Sequence, residues 1–299
     1  MRSIPQCAAS QIPGGMPDVF TIDVEDWFHL LGVKEFADVK TWNSLEPRVE
    51  RNLKTLLDLL GRFEIKATCF ALGWVANRFP RLLREATEAG HEIASHGYDH
   101  QVVSELSPAE FRDDIRRAKK TIEDATGRPV FGYRAPGFSI TSPTHWAMEE
   151  LAAAGYLFDS SVFPAIHGHG GIPKAPRYPY VHRTPSGNLV EFPISVVDTL
   201  FGAQCFFGGG YLRLSPLWMI QAMAKRVRAD GRGVIWYIHP REIDPDHPRV
   251  SMPLARRFKS YVNLESTTDK LQAILAHGSF TTLSELALQM SPEALARSR

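Results

Sequence analysis

The sequence of 299 residues predicts an α/β fold built mainly on a parallel sheet. Short apolar runs of strand length alternate along the chain with longer segments of helical periodicity, which is the order of β-α-β units. The chain is 44% hydrophobic, so a chain of this length can bury a substantial core as one large domain or two small ones.

The first half of the chain carries three such strand and helix units. A helix over about 47–63 places leucines on one face, and a second over about 80–89 ends at Gly90, the usual C-cap residue. Ser107, Pro108 and Glu110 form an N-cap, a first-turn proline and a capping box for a third helix that ends near Gly127. The predicted strands are residues 19–23, 67–73 and 91–95.

The second half continues this pattern after an interruption. Ser-Pro pairs at 142–143 and 215–216 predict two more helix starts, and the second helix leads into a strand over 233–240. Residues 163–213 are rich in Gly, Pro and aromatic residues, and we expect long loops or an antiparallel insertion there. A helix over 267–276 and a strand over 279–283 follow.

Composition and charge exclude several classes of protein. With 34 Lys and Arg against 33 Asp and Glu, the net charge of +1 gives no basic footprint for nucleic acid. The three cysteines, Cys7, Cys69 and Cys205, are odd in number and far apart, which is typical of reduced thiols rather than a disulfide framework. No apolar run has the length of a membrane span, and we expect a cytoplasmic protein.

The segment HEIASHGYDH, residues 91–100, is the most informative in the chain because His96 and His100 lie four residues apart after an apolar run. Two imidazoles at this spacing can bind one metal ion. The segment DVED, residues 23–26, supplies carboxylates after another predicted strand. Two histidines and one carboxylate with open coordination form the ligand set of zinc hydrolases and of non-haem iron oxygenases.

The position of these residues in the predicted fold also favours a site. Asp23, His96 and His239 each lie at the end of a predicted strand. In parallel α/β folds, reactive groups gather at the carboxyl ends of the strands. We therefore expect these three residues to lie near one another.

Five segments in order resemble the motifs of polysaccharide deacetylases, carbohydrate esterase family 4 or the NodB-homology family. They are TIDVEDW at 21–27, SHGYDH at 95–100, RAPGF at 134–138, DSSVFP at 159–164 and YIHP at 237–240. The DVEDWFH, FGGGYLRL and HPREID segments further resemble the branch linked to exopolysaccharide and PEP-CTERM/exosortase loci. The resemblance implies a distorted (β/α) barrel in a single domain over 1–299, with a NodB-homology core at 19–240 and a C-terminal extension at 241–299.

The family also implies roles for individual residues. Asp23 resembles the base that activates water, Arg134 its pairing partner, and His239 the acid that protonates the leaving amine. Asp159 resembles the carboxylate that hydrogen-bonds this acid. The family implies a substrate contact at Gly137, whose backbone N–H would hold the oxyanion. We also expect Phe138 to contact substrate. Trp27, which follows the first motif's acids, is expected in the core or the site wall, where it could also contact substrate. The implied activity is removal of acetyl groups from N-acetylated sugars.

The first motif departs from the usual TFDDG, because its two acids are replaced by D-V-E-D. The metal carboxylate is therefore either Glu25, which family members with a one-residue spacer favour, or Asp26. The expected cofactor is a divalent metal, zinc first, with cobalt, nickel and iron as alternatives. His167 and His169 resemble a second metal tract, although histidines in Gly-rich solvent loops are commoner.

Two other functions stay open from the sequence. The same fold and metal could hydrolyse a small amide, as allantoinase-like relatives do. The chain could also be an inactive carbohydrate-binding protein, although it keeps Asp23, His96, His100, Arg134 and His239.

Overall fold

The computed structural model of the protein describes residues 15–290. Its main feature is a nine-stranded, curled, mainly parallel sheet with helices packed against it, so the predicted α/β class is confirmed. The strands are β1 Asp18–Val24, β2 Thr68–Ala71, β3 Glu92–Ser95, β4 Gly132–Tyr133, β5 Phe158–Asp159, β6 Tyr180–Thr184, β7 Gly187–Glu191, β8 Val197–Thr199, β9 Gly202–Gln204, β10 Ile235–Ile238 and β11 Phe280–Thr281.

The helices occupy the segments where the sequence shows helical periodicity. They are α1 Val39–Trp42, α2 Val49–Gly61, α3 Gly73–Arg78, α4 Pro80–Glu88, α5 Pro108–Thr126, α6 Ala147–Ala153, α7 Gly209–Leu214, α8 Leu217–Ala229, α9 Leu254–Tyr261, α10 Thr267–Leu275 and α11 Leu283–Met290.

The strand order explains how distant segments meet. It runs β10-β1-β2-β3-β4-β5-β7-β6, with β11 paired to the start of β1. All neighbours along this path are parallel except the β6–β7 hairpin. Between β6 and β10 no strand pairing occurs within residues 15–290, so the sheet curls into an incomplete barrel. The carboxyl ends of β1, β3, β4 and β10 therefore face one side.

Capping chemistry sets several helix ends. The Ser107 hydroxyl accepts a hydrogen bond from the Glu110 N–H, and the Glu110 carboxylate accepts one from the Ser107 N–H at 2.8 Å, so the capping box is confirmed. Gly127 follows α5 in the left-handed region at φ +67°, which glycine adopts without strain. The two Ser-Pro predictions were less accurate. A turn separates Pro143 from α6, and Pro216 rather than Ser215 is the N-cap residue of α8.

The interruption predicted at 163–213 is also confirmed. Two antiparallel hairpins, β6–β7 and β8–β9, and the short helix α7 replace the parallel repeat there. Cys69 and Cys205 are buried free thiols, and Cys7 lies outside the described residues. In the part of the chain described, every helix is too short or too polar to cross a membrane.

Candidate active site

Glu25, His96 and His100 converge at the carboxyl end of the parallel sheet. Their ligand atoms all lie within 4.8 Å of one another, and all three residues are buried. Glu25 Oε1 lies 3.1 Å from His96 Nε2 and 2.8 Å from His100 Nε2. The structure thus brings together the three side chains that the sequence predicts as metal ligands.

Local backbone geometry brings the two histidines onto one ion-sized space. His96 directly follows β3, and its N–H bonds to the Ala71 carbonyl at 2.8 Å, which continues the β2–β3 pairing. The chain then turns sharply, with Gly97 at φ +78° and His100 itself at φ +54°. A non-glycine residue in the left-handed region is strained, and such strain is concentrated at functional sites.

The ring nitrogens are arranged as metal ligands require. His96 Nδ1 donates to the Arg134 carbonyl at 2.7 Å, which leaves the lone pair of Nε2 facing Glu25. His100 Nε2 is buried, and although it is close to Glu25 it lacks hydrogen-bond geometry with it. Two imidazole nitrogens and a carboxylate oxygen that converge on one point form a typical ligand set for zinc and other divalent transition metals. The donor set therefore fits a divalent metal ion.

The protonation of Glu25 agrees with this arrangement. Burial by itself would raise the pKa of Glu25, but His100 and His239 nearby lower that pKa well below its usual value. The carboxylate is therefore ionised at neutral pH and available as an anionic ligand.

Asp26, the alternative ligand, has a different position. Its Oδ2 accepts hydrogen bonds from the N–H groups of Arg48 at 2.8 Å and Val49 at 3.0 Å, and its Oδ1 accepts one from Trp27 N–H at 2.8 Å. Burial raises the pKa of Asp26 to about 6, although these three donors oppose the shift. Asp26 therefore holds the start of α2 and does not face the histidines.

Asp23 and Arg134 form the ion pair that the sequence predicts. Arg134 Nη1 donates to Asp23 Oδ1 at 2.7 Å, and both side chains are almost completely buried. Arg134 is itself held by Thr21, by both the carbonyl and hydroxyl oxygens of Ser160, and by the face of the Phe70 ring at 4.1 Å. This network fixes one oxygen of Asp23 and leaves the other, Oδ2, directed towards His239 at 3.7 Å.

His239 has a different carboxylate partner from the one predicted. Its Nδ1 bonds to Glu242 Oε1 at 2.8 Å, while its Nε2 faces Asp23 and Glu25. Burial by itself would lower the pKa of His239, but Glu25, Glu242 and Asp23 together raise it. His239 thus has the environment of a histidine that stays charged.

The expected hydrogen bond between Asp159 and His239 is wrong. Asp159 accepts bonds from the Ser161 hydroxyl at 2.6 Å and the Ser161 N–H at 3.1 Å, and it hydrogen-bonds to the Glu191 side chain. Burial raises the pKa of both carboxyls, and the neighbouring Asp159 raises the pKa of Glu191 further. β5 carries Asp159 into the sheet, whereas the turn after Pro240 brings Glu242 back to His239.

The triad of Glu25, His96 and His100 opens onto a cleft of about 310 Å³. Gly137 and Phe138 line this cleft, as predicted for residues that contact the substrate. Gly137 has φ +62°, and a Cβ there would lie 2.6 Å from Cδ1 of Leu31 and 3.0 Å from Cβ of His169. Only glycine therefore fits this wall.

Trp27 is not part of the cleft wall, so the prediction that it contacts substrate is wrong. Its ring packs edge-on against Phe28 and Phe36, and its indole N–H donates to the Glu46 carbonyl at 3.0 Å. β1 ends at Val24, and the following turn directs the indole into an aromatic cluster behind the site.

His167 and His169 line the outer part of the cleft. The His167 ring packs against Phe138 and Phe163, and burial lowers its pKa to about 4. Within residues 15–290, the grouping of Glu25, His96 and His100 is the only metal-type cluster found, so these two histidines do not form a second one.

Comparison with known proteins gives two adjacent family matches. Residues 40–156 match the polysaccharide deacetylase family, and residues 160–288 match a domain of unknown function, DUF3473. Residues 40–156 are therefore similar to polysaccharide deacetylases. This match agrees with the resemblance read from SHGYDH and RAPGF, the two motifs that lie within 40–156.

Two curated relatives and one solved structure illustrate the similarity. A peptidoglycan deacetylase of Helicobacter pylori is 28% identical over 113 residues, which are 38% of this chain and 38% of that protein. A peptidoglycan-N-acetylglucosamine deacetylase of Bacillus cereus is 33% identical over 135 residues, 45% of this chain and 62% of the relative. The chain thus matches less than two thirds of the length of either relative.

The solved structure is a candidate polysaccharide deacetylase from Mycobacterium smegmatis. It superposes with a TM-score of 0.66 at 20% sequence identity, covering 97% of this chain and 96% of that one. At this identity the match shows a shared fold over nearly the whole chain.

Proposed function

We propose that the protein is a metal-dependent hydrolase that removes acetyl groups from N-acetylated sugars of a polysaccharide or oligosaccharide. The observation that carries the proposal is the convergence of three groups in one cleft: the Glu25–His96–His100 triad, the Asp23–Arg134 pair and the His239–Glu242 pair. Amide hydrolysis needs a base, an acid and stabilisation of a developing negative charge, and these groups meet those needs.

The triad is proposed to hold a divalent ion, zinc first, with cobalt, nickel or iron as alternatives. Such an ion, when bound, polarises a carbonyl oxygen and lowers the pKa of water. The side chains of the protein supply the proton transfers.

Asp23 Oδ2 is proposed as the base that accepts a proton from water, since Oδ1 is occupied by Arg134. Arg134 keeps the carboxylate oriented and cannot itself be deprotonated at ordinary pH. Its own contacts are all inside the protein, so its role is to position Asp23 rather than to touch substrate.

His239 Nε2 is proposed as the acid that protonates the departing amine. It faces the triad, 3.9 Å from Glu25 Oε1, and it lines the same cavity as Gly137 and Phe138. Glu242 holds Nδ1 and favours the charged imidazole, which keeps a proton available on Nε2.

The printed names of the relatives support an N-acetylated glycan as the substrate class. Their partial coverage leaves the glycan of this chain as a proposal. The narrower assignment to the exopolysaccharide-linked branch and the cytoplasmic location both remain predictions.

Acetate release from a panel of substrates tests the proposal. The panel holds N-acetylglucosamine oligomers and O-acetylated glycans, with allantoin as the small-amide alternative. We expect acetate from the N-acetylated oligomers and none from a His96→Ala variant. Turnover of allantoin alone would replace the sugar substrate with a small amide, and glycan binding without turnover would indicate an inactive carbohydrate-binding protein.

A further inference from the structure

Arg241 lines the cleft, and two of its guanidinium nitrogens lack a hydrogen-bond partner among the described residues. It belongs to the single turn Pro240–Ile243 that follows His239, and its side chain lines the same cavity as the triad. Its Nε and Nη1 atoms are buried and form no hydrogen bond with any described residue. Buried charged donors are costly to leave unpaired, so such a side chain calls for an explanation.

Two more cations from α9 line the outer part of this cleft. They are Arg256 and Lys259, and Arg256 donates to the Gly32 carbonyl at 3.0 Å. Burial lowers the pKa of Arg256, and the positive charge of Arg241 lowers it further. We call Arg241, Arg256 and Lys259 the basic rim.

In the described part of the chain, the cleft carboxylates form their close ion pairs with other groups, and Arg241 acts on Glu242 only as the last of the charges that lower the pKa of Glu242. Asp23 is paired with Arg134, and Glu25 faces the two histidines of the triad. Glu242 is shared between His239 and Arg213, whose Nε lies 3.5 Å away. Among residues 15–290, the basic rim therefore has no carboxylate partner in the ion pairs of the structure.

We propose that the basic rim is a subsite for an anionic group on the substrate, either a carboxylate or a phosphoryl group. This inference rests on the proposed function, because it places the anion on the same sugar chain whose acetyl group reaches the triad. An anion there would pair the buried nitrogens of Arg241 and relieve its repulsion with Arg256. A neutral glycan offers only hydroxyl and amide oxygens, which accept weaker hydrogen bonds from a guanidinium than an anionic oxygen does.

The chain offers a matched set of variants. Arg241→Gln and Arg256→Gln each remove one charge from the basic rim. Arg257→Gln removes the same charge from the neighbouring position of α9, where the side chain is exposed and does not line the cleft. Circular dichroism and the Tm of each variant establish that it is folded, and the second rim variant provides the test if the first is not.

Two measurements separate binding from turnover. The first is kcat/KM for acetate release from chitotetraose, which is neutral, and from a tetrasaccharide of alternating glucuronic acid and N-acetylglucosamine, which carries carboxylates. The phosphoryl arm of the experiment compares N-acetylglucosamine 1-phosphate with N-acetylglucosamine. The second is calorimetric titration of the full chain with the same compounds, which reports binding whether or not acetate is released.

The wild type is expected to prefer one of the anionic compounds over its neutral counterpart, and the arm that shows the preference identifies the anion. Each rim variant is expected to reduce that preference by about 10-fold or more, the scale of one lost charge-assisted hydrogen bond, while Arg257→Gln leaves it unchanged. Equal affinity for neutral and anionic compounds, or equal loss of preference in Arg257→Gln, would overturn the subsite. Preferential anion binding without any acetate release would instead retain the subsite and count against the proposed hydrolase.

Discussion

The contrast between Glu25 and Asp26 gives the sharpest test of the site at the level of single residues. The two acids are adjacent, yet Glu25 faces His96 and His100, whereas Asp26 accepts three backbone N–H groups at 2.8 to 3.0 Å. Replacing each by alanine should therefore affect different properties. Glu25→Ala should lose the metal, and Asp26→Ala should lose stability.

The size of the second effect follows from the hydrogen bonds of Asp26. A hydrogen bond to a charged group contributes about 1.5–3 kcal/mol, and loss of a helix N-cap costs about 0.5–2 kcal/mol. The three bonds do not add fully, because the carboxyl is buried and its pKa is raised to about 6. We expect Asp26→Ala to lower the free energy of unfolding by about 2–4 kcal/mol, in the upper part of the usual range for point mutations.

Glu25→Ala should differ from Asp26→Ala in its metal content. Its carboxylate contacts only histidine side chains in the hydrogen bonds and ion pairs of the described residues. Because His100 and His239 hold the pKa of Glu25 well below its usual value, the ionised carboxylate also contributes stability at neutral pH, and its removal should lower the free energy of unfolding as well. The matched control for Asp26→Ala is Asp26→Asn, which keeps one acceptor oxygen and should lose less stability than Asp26→Ala.

Urea unfolding in the presence of chelator, together with metal analysis of each purified variant, measures both properties. The expected result is metal loss only in Glu25→Ala, while Asp26→Ala keeps the metal and loses about 2–4 kcal/mol of stability. If Asp26→Ala loses metal at unchanged stability while Glu25→Ala keeps it, the two acids have been assigned in the wrong order.

Three further outcomes test the acid and base assignments. Asp23→Asn should retain metal and lose most turnover, because it removes a proton acceptor without removing a ligand; metal loss in this variant would argue against a base. Glu242→Gln should move the alkaline limb of the kcat profile to lower pH, because Glu242 raises the pKa of His239 and the charged imidazole is lost as pH rises through that pKa. Asp159→Asn is its control and should leave the limb in place. His239→Ala should slow amide hydrolysis by about 10²- to 10⁴-fold but slow an aryl acetate ester much less, since that leaving group needs no proton; equal effects on both would make His239 structural.

The parts of the site that the sequence predicted correctly are those tied to strand ends. Asp23 ends a strand of apolar residues and His96 follows another, so parallel pairing alone brings them together. Arg134 belongs to a third segment that pairs with β3, and its contact with Asp23 also follows from that order.

The residues that sequence reasoning misplaced depend on turns whose direction a linear pattern does not give. Glu242 was overlooked, although an acid three residues after His239, beyond a proline, is the position that a single turn of helix would bring back to the ring. Trp27 was misplaced because the turn after β1 breaks the alternation that places Asp23 and Glu25 in the cleft, and the indole packs into the core instead.

The fold was likewise predicted well where local chemistry determines the structure and poorly where distant strands must pair. Helices with strong caps and amphipathic faces, such as α5, were placed accurately, since local chemistry determines them. Incomplete closure of the barrel depends on the insertion between β5 and β10, whose hairpins carry no periodic signal long enough to specify their pairing.

The central claim is that one divalent ion at Glu25, His96 and His100 is required for deacetylation. The most direct measurement is metal content and acetate release from an N-acetylated oligomer on one preparation, before chelation, after exhaustive chelation and after zinc or cobalt is added back. We expect about one ion per chain at the start, loss of activity with the ion, and recovery of both on addition. Full acetate release from the chelated, metal-free protein would contradict the account.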